Sequence, residues 1–194
     1  MRKWVACLCL LAVCLALAPA LAQGEPLVYT GASGFTLTLP ADWIALIGGD
    51  EEDWDFFDFE ELQPGDEEAM FSSSDGVMWV TVLHADDTPV HPHAVEALFS
   101  EAAMEARVGQ VNGFQKLYYE FDEPNRRAFI LYTLVDTEEG TPYAEYLMGF
   151  VTGSDIAQYL IITVRADQLD ARFNVISQIV HGIDVGGVRD GAEG

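Results

Sequence analysis

Basic residues and thiols are scarce in this chain. Only 9 of its 194 residues are Lys or Arg, against 32 Asp or Glu, for a formal net charge of −23. Its three cysteines, Cys7, Cys9 and Cys14, all fall near the start. No apolar run reaches the roughly 20 residues that a membrane-spanning helix needs. The longest, Trp4 to Ala18, falls short of that length. It follows Arg2 and Lys3 and is closed by Pro19 and the small-residue end Ala20-Leu21-Ala22. That layout reads as a secretory signal peptide over residues 1–22, cut after Ala22. Retention as an anchor is disfavoured by the short core. Lipoprotein processing at Cys14 is disfavoured by bulky Val13, where a small residue is wanted.

Cleavage removes every cysteine, which excludes disulfides, zinc–thiolate sites and a cysteine nucleophile from the mature protein. It also removes Arg2 and Lys3 but no acid, so the mature chain is more acidic still, with Lys116 as its sole lysine. What is left is long enough for one domain with its own core, expected over 23–185, with a loose tail over 186–194. Phosphate backbones and anionic headgroups repel such a surface, so neither nucleic acid nor a peripheral membrane is an expected partner. No stable membrane span is expected after cleavage. The natural ligands are cations or a protein partner, in particular a basic one. High negative charge also serves solubility alone.

The remaining pattern is half apolar, without repeats or low-complexity tracts. Residues 27–30 read as a short strand, and Phe35, Leu37 and Leu39 alternate with Thr36 and Thr38 until Pro40 stops them. Residues 70–73 and 77–84 form a predicted hairpin around Asp75-Gly76, its second arm apolar on both parities and hence interior. Val95, Leu98, Phe99, Ala102 and Ala106 lie on one helical stripe, with Pro92 at its start and Gly109 at its end. Four strand-like runs follow, at 115–121, 127–135, 143–151 and 158–164, joined by turn chemistry. A last helix is expected from an Asp167 N-cap, with Leu169, Phe173, Ile176 and Val180 on its inner face. This order is α+β: two main helices on a mostly antiparallel sheet of about six to seven strands. It contains no βαβ alternation, and so no Rossmann-type nucleotide scaffold.

Three features resemble the Mog1/PsbP-like superfamily, including its bacterial extracytoplasmic PsbP- and DcrB-like members. One is the strand from Gly34 that ends in Pro40-Ala41-Asp42-Trp43. The second is the mid-chain helix followed by a meander. The third is Tyr159-Leu160-Ile161-Ile162-Thr163-Val164, a loop, then a helix reaching Ile179-Val180-His181-Gly182-Ile183. Together they span roughly residues 27 to 185. The resemblance implies an α/β/α sandwich and a non-catalytic binding or accessory role. It implies no catalytic set. The calcium and chloride association of photosynthetic members rests on no shared motif, so no residue carries over.

The sharpest local feature is the stretch 50–68, with 11 acids, no base, and Trp54, Phe56, Phe57 and Phe59 interleaved. Within it Asp50, Glu51, Glu52, Asp53, Trp54, Asp55, Asp58, Glu60 and Glu61 are the expected contact for a partner or a cation. Oxygen-rich segments suit calcium, and extracellular modules bind it with Kd around 0.1–1 mM. The spacing is not that of an EF-hand, however, and charge runs are commonly just solvated. His84, His91 and His93 are a weaker candidate for zinc, since neutral imidazoles ligate it. The spacing of His91-Pro92-His93 is not itself a metal motif. No cofactor is otherwise expected. A nucleophile elbow and a His-Glu-x-x-His helix are both lacking, and no carboxylate pair stands out. The expectation is a non-enzyme.

Overall fold

The computed structural model describes residues 24–46, 67–86, 88–137 and 139–186. Strands β1 (Leu27–Thr30), β2 (Thr36–Leu39) and β10 (Ile183–Asp184) make a three-stranded sheet in the order β1-β2-β10. The other seven strands form one antiparallel sheet in the order β3-β4-β5-β9-β8-β7-β6. They are β3 (Trp43–Ala45), β4 (Glu67–Ser73), β5 (Met78–Leu83), β6 (Gln115–Asp122), β7 (Arg127–Val135), β8 (Pro142–Val151) and β9 (Ala157–Arg165). Among the described residues three helices, α1 (Val95–Leu98), α2 (Glu101–Val108) and α3 (Leu169–His181), accompany the sheets.

Alternation along the strands divides the core in two, because successive side chains leave opposite faces. On one face Val80, Val82, Met148, Leu160 and Ile162 meet Phe35, just ahead of β2, Leu37 of the small sheet, and Ile176 and Ile179 of α3. On the other, Ile130, Leu147, Val151 and Ile161 meet Val95, Phe99, Met104 and Val108 of α1 and α2. Strand β5 is interior as expected, paired to β4 and β9. The β4–β5 hairpin turns at Gly76, whose positive φ suits glycine. There the Ser73 hydroxyl donates to Asp75 Oδ1 at 2.7 Å and accepts from the Met78 N–H at 3.0 Å.

Both helices depart from the sequence expectation in detail. The mid-chain helix is two pieces, because Ser100 leaves the helical conformation and its hydroxyl accepts from the Ala103 N–H, capping α2. That break resets the helical phase. Met104 and Val108 are therefore buried, while Ala102 and Ala106 face water. At the C-terminal end, a 3-10 turn (Ala166–Gln168) takes up Asp167, and α3 starts at Leu169. The inward arc of α3 centres on Ile176 and Ile179, so Phe173 lies about a quarter turn away. It is 57% exposed. Strands β3 and β10, three and two residues long, were not expected.

Candidate functional site

The acid-rich contact predicted at Asp50, Glu51, Glu52, Asp53, Trp54, Asp55, Asp58, Glu60 and Glu61 lies outside the described residues. Its two ends are described. The segment connects β3 to β4, antiparallel neighbours at one margin of the large sheet with Ala45 opposite Phe71. Leu46 leaves β3 with its N–H donating to the Met70 carbonyl at 2.8 Å. At the return, Glu68 Oε1 accepts 2.6 Å hydrogen bonds from the Tyr29 hydroxyl and the Ala32 N–H. Burial, and then the Glu68 carboxylate, push the Tyr29 phenol pKa up.

His84, His91 and His93 are all exposed. The rings of His91 and His93 sit 5.1 Å apart. His91 Nδ1 is already used, accepting from the His93 N–H to cap the turn Pro92–Ala94. Among the described residues no group of three or more His, Cys, Asp or Glu side chains is arranged to hold a metal. The stretch carrying these histidines is anchored by the Val90 N–H, which donates to the Asp155 carbonyl at 2.7 Å. Asp155 in turn pairs with Arg126 at 2.9 Å, joining the β6–β7 and β8–β9 turns. Arg126 and Asp155 both hold positive φ, which is costly outside glycine.

Sequence reasoning missed a buried polar row under the α1–α2 layer. Glu145 of β8 lies opposite Tyr132 of β7 and opposite Thr163 of β9. The Tyr132 hydroxyl donates to Glu145 Oε2, and the Thr163 hydroxyl donates to Oε1 at 2.8 Å. Burial raises the Glu145 pKa, while the two hydrogen bonds pull it the other way. Tyr132 is raised well above its ordinary value by burial and by the facing carboxylate. The row is flanked by Trp79 against Tyr143, ring centroids 6.1 Å apart, and by Phe114 against Tyr132 at 5.5 Å. The available signal was a lone Glu in the otherwise apolar and small run of β8. Its carboxylate oxygens serve two hydroxyls, and its residue is buried, so its evident task is to satisfy a polar seam in the sheet.

Surface charge shows one consistent arrangement. Lys116 is held by Glu101 and Glu105, Arg126 by Asp155, Arg127 by Asp122, Arg165 by Asp167 and Arg172 by Asp75. Arg107 instead lies over the Tyr159 ring, 3.9 Å from its centroid. Every lysine and arginine among the described residues is therefore already engaged within the chain. A cavity of about 650 Å³ lies at the far end of the small sheet, lined among others by Gly24, Thr38, Pro40, Asp42 and Gln178. It does not include the Glu145 row.

These layers define an α+β domain with a PsbP-like fold. No family model matches the sequence, and no curated protein matches it. Among solved structures the chain is similar to cyanobacterial PsbP (CyanoP) of Synechocystis at 10% identity, covering 83% of this chain and 92% of that one with a TM-score of 0.51. The Ran-binding protein Mog1p of Saccharomyces cerevisiae matches at 12% identity over 84% of this chain and 96% of its own, TM-score 0.44. LpqN of Mycobacterium tuberculosis, involved in cell envelope biogenesis, matches at 9% identity over 82% and 89%, TM-score 0.49. The PsbP likeness speaks to the fold. At these identities none of the three extends to a ligand or an activity.

Proposed function

We propose that this is an exported, non-catalytic binding or accessory domain whose acidic surface engages a protein partner or cations outside the cytoplasm. The export part rests on the signal-peptide pattern of residues 1–22. The binding part rests chiefly on the charge arrangement: the described lysines and arginines are engaged internally, which leaves the acidic excess open to a basic partner or cations. The contact is assigned to the β3–β4 connection and its acids from Asp50 to Glu61.

The test is affinity capture from the secreted and envelope fractions with the wild type and with a variant carrying amides at Asp50, Glu51, Glu52, Asp53, Asp55, Asp58, Glu60 and Glu61. A partner held by the wild type and lost by the variant is the expected result; identical captures would refute the assignment. Thermal unfolding with calcium, with zinc and with EDTA separates cations from proteins. A native-state site filled 100-fold above its Kd adds about 2.7 kcal/mol.

A further inference from the structure

The geometry points to a second contact surface: the free edge of β6, which takes an extended, basic segment of a partner protein as an added strand. Among the described residues strand β6 ends the large sheet and pairs there only with β7. Its eight residues compare with three in β3, the strand at the opposite margin. A strand edge left open presents unpaired N–H and C=O groups to any extended chain, and proteins usually blunt it with lysine or a bulge. Here the bulge falls at Leu117, between paired Lys116 and Tyr118. Lys116 is drawn onto α2 by Glu101 and Glu105, away from a guarding position. From Tyr118 to Asp122 the register with β7 is unbroken.

The side chains on this edge suit an apolar-and-basic strand. Leu117 and Tyr118 are 48% and 50% exposed, the two large apolar side chains of β6 most open to water. Across β7 and β8, Tyr118 is followed by Leu131 and Tyr146, both only part-buried, so the apolar row continues inward on the sheet face. Glu120 and Glu123 are exposed beside it. Glu120 accepts from the Tyr118 hydroxyl at 2.6 Å, and among the described residues no ion pair holds its charge. Asp122 and Lys116, by contrast, are each neutralised within the chain. An added strand meets backbone groups along the edge, with Tyr118 and the carboxylate of Glu120 on one face and part-buried Tyr119 and Phe121 on the other; because its side chains alternate between the faces, it suits lysine or arginine on the Glu120 face alternating with aliphatic residues on the Tyr119–Phe121 face. Two copies of so acidic a chain would bring like charge together, which disfavours self-pairing.

This surface rests on the reading of the domain as a partner-binding module, but it is separate from the acidic β3–β4 connection. The probe is a blocked ten-residue peptide alternating lysine and valine, titrated into the isotope-labelled exported protein and followed by amide NMR. Expected are shifts and at least tenfold slower hydrogen exchange along residues 118–122, with affinity falling tenfold or more in Tyr118→Lys and in Glu120→Lys. The variant neutralised at Asp50 to Glu61 should keep the edge shifts. Shifts confined to residues 50–61 would overturn the edge while leaving the acidic contact standing. A glutamate–valine peptide binding equally well, a β6-paired homodimer forming without peptide, or no edge shift at millimolar peptide would each overturn it.

Discussion

Replacing Glu145 by Gln should leave the fold intact and change how stability depends on pH. The glutamine carbonyl can still accept from Tyr132 and its amide can donate to the Thr163 hydroxyl, so the shape and both contacts survive. The ionisation does not survive. Burial raises the folded-state pKa of Glu145 above its ordinary 4.5, so the folded chain holds that proton more tightly than the unfolded chain. Glu145 therefore contributes its full stability below pH 4.5 and loses it as pH rises through the raised folded value. Glu145→Gln lacks that loss, and its stability relative to wild type should climb as pH rises from 4 toward 8. Truncation behaves differently. Glu145→Ala strands the buried Tyr132 hydroxyl at roughly 1–3 kcal/mol and forfeits the Thr163 bond at roughly 0.5–1.5 kcal/mol, a cost of about 1.5–4.5 kcal/mol in acid. At neutral pH that cost shrinks, because the desolvated charge has gone as well. Urea unfolding of wild type, Glu145→Gln and Glu145→Ala across this pH range measures all three curves, and the m-value checks that the unfolded state is unchanged. Parallel profiles for wild type and Glu145→Gln, or a wild type that gains on the Gln variant as pH rises, would refute the reasoning.

Two further outcomes test the α1–α2 layer. A methyl group on Gly149 would lie 2.7 Å from Phe99 Cε1 and 3.0 Å from Tyr159 Cε1, so Gly149→Ala should cost about 1–3 kcal/mol by overpacking. Adding Phe99→Leu should return part of that loss in a double-mutant cycle, whereas strict additivity would refute the contact. Ser100→Ala removes the cap that divides α1 from α2 and should cost about 1 kcal/mol in unfolding free energy at unchanged m. An unchanged midpoint would mean that the cap is not what sets the break.

The antiparallel meander was readable because its strands announce themselves one by one. Runs such as Arg127–Val135 and Ala157–Arg165 carry β-branched and aromatic residues between turn residues, and adjacent hairpin partners need no long-range information. The candidate site was legible only as composition. An acid-rich connection with interleaved aromatics is plain in the sequence, but which strands it joins follows from the pairing of β3 with β4. Glu145 was visible as an oddity in β8. Its meaning needed the register that sets Tyr132 and Thr163 on either side of it.

The sequence by itself determined the properties that depend on residue type and local period: the acidic composition, the strand faces and the α+β order. Tertiary structure decided whatever depends on which neighbour arrives. The helix divides at Ser100 because its hydroxyl finds the Ala103 amide. Phe173 turns outward because Ile176 and Ile179 take the centre of the buried arc. Strands as short as β3 and β10 exist only through their partners β4 and β2. Periodicity records which side of an element is apolar. Pairing and packing choose the surface that covers it.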